Sequence, residues 1–153
     1  MARGWAAVPI VVALALGAGG CGSGGVARDA TVSAYADAPL CAGARRQLAD
    51  ESGRAGSVRV RLVCLESARG GGRLDLATVG ANARRATEDS TSVGYIEVPS
   101  RPSFSRPILE SAGVAWISSN SGGAGMARLL HAIRGADSGS LRESVREALH
   151  EAG

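Results

Sequence analysis

The sequence predicts an α/β domain of three layers, in which a parallel sheet of about four strands carries helices on both faces. Three observations predict it. Four short runs are strand-like in their apolar patterning, the segments between them repeat apolar residues at helical spacing, and the last thirty or so residues are helical throughout. Strands alternating with helices are joined by crossover connections, which make neighbouring strands parallel and send the helices onto the sheet faces.

The first strand is the β-prone run TVSAYA, Thr31 to Ala36. In DAPLCAGARRQLADESG, residues Ala42, Ala44, Leu48 and Ala49 follow near helical spacing until Gly53. SVRVRLVCLES then sets Val58, Val60, Leu62 and Cys64 on one face at period two, with Val63 and Leu65 opposite. That pattern is a strand whose C-terminal half is buried on both faces. The Gly-rich ARGGGR reads as a loop, since it lacks the Lys and Ser/Thr of a phosphate-binding loop. A second helix carries Leu76, Val79, Ala83 and Ala86, and SVGYIEV is the third strand. Pro107 suits the first turn of a third helix, with Ser105 as its cap and Gly113 at its end. VAWIS is the fourth strand, and NSGGAG reads as a turn. Two helical stripes close the chain, Met126, Leu129, Leu130 and Ile133 up to Gly135, then Leu141, Val145, Ala148 and Leu149. Ser140 and Glu143 open the second as a capping box. With no strand between them, these helices are expected to cover the sheet.

The N-terminus has a different character. One Arg precedes an apolar run from Trp5 to Leu16, too short for the roughly 20 residues that span a membrane, so residues 1–20 read as a signal peptide. Ala18, Gly19 and Gly20 before Cys21 resemble a bacterial lipobox, although Ala18 stands where that pattern prefers Leu. The resemblance implies acylation of Cys21, a flexible tether over 21–29, and a domain over 30–153 anchored to the outer face of the cell membrane. Acyl chains contribute about 0.8 kcal/mol per buried CH2, and two or more hold a protein there stably. Cys41 and Cys64 remain as a pair in an oxidising compartment, either disulfide-bonded or as two buried thiols. Seventeen basic residues, all Arg, against 14 acidic ones are too balanced to imply nucleic acid.

ANARRATEDSTSVGYI and SAGVAWISSNS, within a similarity running from about Thr31 to Ser121, resemble the first lobe of the type 1 periplasmic binding proteins. The specific likeness is to the leucine-binding-protein-like receptors of branched-chain amino acid ABC transporters. The tail GMARLLHAIRGADSGSLRESVREALHEAG resembles the helix pair that returns to that lobe near the family's C-terminus. A second lobe lies between those regions in the family, and here GGAG (122–125) stands in its place. The resemblance thus implies a single lobe of a periplasmic-binding-protein-like fold, binding a small amino-acid-like solute weakly, without cofactor or catalysis. An ABC permease is the partner it implies. The alternative is an interaction module that forms a homodimer or pairs with an intact receptor through the surface left by the missing lobe.

Ligands of parallel sheets bind beyond the carboxyl ends of the strands. The resemblance places ligand contacts at Ser100 and Ser103 after the third strand, and at Asn120 and Ser121 after the fourth. Glu97 departs from it, occupying a position where a small residue is usual. Read from the residues alone, Ser100, Ser103 and Ser105 serve equally well as solvated turn and cap residues. No metal-ligand spacing is present. His131 and His150 have no nucleophile placed beside them, and Trp116 reads as core. Asp37 after the first strand invites comparison with phosphoacceptor receiver domains, but that class needs an Asp after the third strand, where this chain has Glu97.

Overall fold

The computed structural model describes residues 29–70, 72–136 and 140–151. The signal peptide, Cys21 and the tether up to residue 28 lie outside the described residues. Strand β1 (Thr31–Ala36) leads to helix α1 (Ala38–Asp50), the two-residue β2 (Arg54–Ala55) and β3 (Val58–Cys64). A small hairpin of β4 (Arg69–Gly70) and β5 (Arg73–Leu74) precedes α2 (Leu76–Glu88) and β6 (Ser92–Glu97). Helix α3 (Arg106–Ser111), β7 (Ala115–Ser118), α4 (Gly122–Gly135) and α5 (Leu141–Glu151) complete the chain.

The sheet has the order β2-β3-β1-β6-β7, and β3, β1, β6 and β7 are mutually parallel. The four expected strands are there, but the sheet is mixed, because β2 pairs antiparallel with β3. Local backbone explains the extra strand. Ser52 and Gly53 adopt φ values of 55° and 70°, and Gly56 adopts 61°, so the chain reverses twice within a few residues. The ARGGGR segment is likewise not a plain loop, since its ends pair as β4 and β5.

Helices cover both faces. α1, α4 and α5 bury Leu40, Ala44, Met126, Leu129 and Val145 with Ala34, Ile96 and Ile117 of the strands. On the other face, Ala83 and Ala86 of α2 and Leu109 of α3 close over Tyr35 and Tyr95. The helical tail therefore lies on the sheet.

GGAG is a helical turn rather than a loop. Gly122–Gly125 form the first turn of α4, with Ser121 as N-cap accepting from the Ala124 N–H. Glycine weakens a helix by about 1 kcal/mol per residue relative to Ala, so its presence here needs a packing reason. A Cβ built on Gly122 would stand 1.8 Å from the Leu40 carbonyl oxygen and 2.7 Å from the Ala44 nitrogen. The α1 and α4 backbones touch at that point. At Gly125 the obstacle is Ile96, whose Cγ2 lies 2.5 Å from such a Cβ.

Two other devices fix the layers. Cys41 of α1 and Cys64 at the end of β3 form a disulfide, with Cα atoms 5.6 Å apart, and the Arg45 guanidinium lies 3.3 Å from the Cys64 sulfur. Arg142, in the first turn of α5, donates to the carbonyls of Asp89, Ser90, Ser92 and Ala112 at 2.8 to 3.2 Å. One guanidinium thereby ties the tail to the start of β6 and the end of α3.

Asp89, between α2 and β6, accepts from the Thr91 N–H and hydroxyl and from the Tyr35 hydroxyl. Burial acts to raise its carboxyl, but the bonds from Thr91, Ser33 and Tyr35 outweigh it and hold the group well below the usual carboxylate range. A carboxylate depressed in the folded state stabilises above its unfolded pKa, about 3.9, and that stability is lost as pH falls further. Urea midpoints measured from pH 6 downward should therefore fall more steeply below about pH 4 for wild type than for Asp89→Asn. Parallel curves for the two would show that Asp89 carries no acid-sensitive stability.

Candidate functional site

In this strand order β3 lies on one side of β1 and β6 on the other. The connections leaving β1 and β6 consequently diverge, and the crevice where an open α/β sheet accepts ligands lies between their carboxyl ends. The residues that follow β1 and β6 therefore form its walls, together with those following β3. Asp37, Glu66, Ser67, Arg69, Asn82 and Ser100 are among the groups lining a cavity of about 40 Å³ there. That is room for a few water molecules and too little to enclose an amino acid.

The polar groups deeper in the crevice are satisfied. Asp37 accepts from the Tyr95 hydroxyl at 3.0 Å and from the Val98 N–H at 2.9 Å, which pins the chain leaving β6 to the end of β1. Burial pushes the Asp37 carboxyl above its ordinary value, with those two bonds opposing the shift. The Tyr95 hydroxyl is pushed up by its own burial and then by the Asp37 charge, so Tyr95 remains the donor. Asn82 of α2 donates to the Glu66 carbonyl at 2.9 Å.

Beside this crevice the serine-rich turn has a distinct task. Glu97, the last residue of β6, is only 6% exposed. A buried carboxylate needs donors to replace the water it has lost. Ser103 and Ser105 hydroxyls donate to it at 2.8 and 2.7 Å, and the Trp116 indole N–H at 2.5 Å. Ser105 is the N-cap residue of α3 by position, yet its side chain makes no capping bond because Glu97 takes it. Trp116, expected in the core, is half-buried, and the Arg106 guanidinium stands 4.8 Å from its ring centre.

Of the four expected ligand contacts, Ser100 and Ser103 together line an open pocket of about 700 Å³ beside Trp116, and Asn120 and Ser121 are not in its lining. Ser100 also lines the crevice beside β1, whereas the Ser103 hydroxyl is engaged by Glu97 and the Ser121 hydroxyl by the α4 N-terminus. Asn120 is exposed. Asp37, Ser67, Arg69 and Asn82 line the separate crevice beside β1, which Ser100 shares. Of these, Asp37 is the one that its place directly after the first strand singles out in the sequence. Ser67 and Arg69 carried no signal beyond following the second.

The arrangement offers both signs of charge at one mouth, Asp37 and Glu66 against Arg69, with the Ser100 hydroxyl beside them, while the Ser67 hydroxyl donates to the Arg69 carbonyl. Among the described residues there is no group of three His, Cys, Asp or Glu side chains that could hold a metal ion, and no helix is long and apolar enough to cross a membrane. His131 and His150 are exposed on α4 and α5. No family model, curated protein or solved structure matches the chain.

Proposed function

We propose that the chain is an exported, lipid-anchored, single-lobe solute-binding module related to amino-acid-binding receptors, holding a small zwitterion weakly and performing no chemistry. The observation that carries this reading is the convergence of Asp37 and Glu66 with Arg69 and the Ser100 hydroxyl at the switch-point crevice. An amino acid needs that pairing, carboxylates for its ammonium and a guanidinium with a hydroxyl donor for its carboxylate. The α/β layering and the likeness of ANARRATEDSTSVGYI and SAGVAWISSNS to the receptor family support the same assignment. Only the ligand's polar head fits the mouth, so its side chain stays in water. Ordinary sites bury roughly 70 to 90% of a ligand, and a head held alone corresponds to a dissociation constant of about 1 mM or weaker.

Calorimetric titration with leucine, isoleucine, valine and small amides tests the proposal. Saturable heats with at least one amino acid, lost in Arg69→Ala, are the expected result. Arg69 is exposed, so that variant keeps its fold. Absence of saturable heat with every amino acid would sink the reading.

A further inference from the structure

The two edges of the sheet are unlike. At one, β2 is a two-residue strand held in a tight hairpin, and short edge strands resist pairing with other chains. At the other, β7 is paired only with β6. The Ser119 N–H donates to the Glu97 carbonyl of β6. Backbone groups alternate sides along a strand, so Trp116 and Ser118 turn their N–H and C=O groups to the open side. No hydrogen bond from those groups is present among the described residues.

An open groove of about 1120 Å³ runs along this edge, between α3 and α5. Arg106 and Glu110 of α3 line it, and so do Arg146 and Glu147 of α5, with Trp116 and Ser118 at its floor. Each flanking helix thus carries both signs of charge.

We propose that β7 is a homodimer interface, joining the sheets of two copies through antiparallel β7–β7 pairing. The occupant is a second copy because the edge complements itself in three respects. A two-fold axis beside Ile117 sets Trp116 opposite Ser118 of the second copy, and the two outward-facing residues on each strand then exchange four backbone hydrogen bonds. The large Trp116 ring meets the small Ser118 side chain on the same sheet face. A two-fold axis also makes each face meet itself in reverse, so the Arg106–Glu110 ion pair of α3 and Arg146 and Glu147 of α5 meet their own counterparts with both signs of charge on each side. Four residues of strand bury too little alone, since a stable pair needs about 800 Å² from each partner, so the interface must extend onto the flanking α3 and α5 surfaces. The guarded β2 edge ends growth at two copies. None of this depends on what the crevice binds.

Sedimentation equilibrium of the full chain, kept in solution with a mild detergent, should fit a monomer–dimer equilibrium. Ser118→Pro removes only an outward N–H, and Ser118→Lys adds a charge to the edge; each should abolish the dimer while leaving the melting curve close to wild type. Amide exchange needs no variant, and exchange at Trp116 and Ser118 should slow as wild-type concentration rises. A monomeric wild type, a dimer persisting in a folded Ser118 variant, or exchange at these two amides independent of concentration would overturn the proposal.

Discussion

Gly122→Ala is expected to destabilise the fold by about 3 kcal/mol or more, at the upper end of what overpacking a core does. A Cβ 1.8 Å from the Leu40 carbonyl oxygen meets backbone, which cannot rotate away as a side chain can. α4 must therefore lift from α1, loosening Leu129 and Ile133 above the sheet. Gly123→Ala is the control. Its Cβ would meet the Gly43 oxygen at 3.7 Å, an ordinary contact, so the gain in helix propensity of up to about 1 kcal/mol survives. Urea unfolding of the two variants should move in opposite directions with similar slopes. Equal midpoints would mean that the helices do not cross as closely as described.

Arg142→Ala is expected to lower stability by about 2 to 4 kcal/mol. Hydrogen bonds to a charged group contribute about 1.5 to 3 kcal/mol each, but carbonyls at the rim regain water when the guanidinium leaves. The loss is therefore smaller than four separate bonds suggest. Arg142→Lys should recover little, because a compact ammonium cannot spread across four acceptors on two segments. Hydrogen exchange locates the effect: amides of α5 should lose protection before those of β1. Uniform loss across the molecule would show that the tail is not a separately anchored layer.

Much of the layer plan was legible in the sequence because it is written locally. Val58 and Val60 at period two, and Met126, Leu129, Leu130 and Ile133 at helical spacing, report their own burial without reference to any partner. Strand order is not local. The placement of β1 between β3 and β6 rests on pairings between Ser33 and Ser92 or Tyr35 and Tyr95, far apart in the chain. The crevice beside Asp37 accordingly becomes visible only once β1 is seen between β3 and β6. Glu97 drew attention as a residue out of pattern, but its serine and indole partners could be assigned only once β7 was seen beside β6. GGAG misled for a physical reason, since poor helix formers read as a turn unless another backbone is known to press against them. Leu76 shows the opposite failure. It belongs to the helical stripe of α2 yet is 53% exposed, because it opens the helix beyond the edge of the core.

The bond between Cys41 and Cys64 spans 23 positions and closes a loop holding most of α1 with β2 and β3. Closing a loop of that length removes about 3 kcal/mol of unfolded-chain freedom. The molecule therefore has two resistances to being pulled apart, selected by the thiol poise of its surroundings. Where glutathione keeps sulfurs reduced it is the more readily threaded through a narrow pore; where they oxidise, the same chain becomes the harder one for a protease to open.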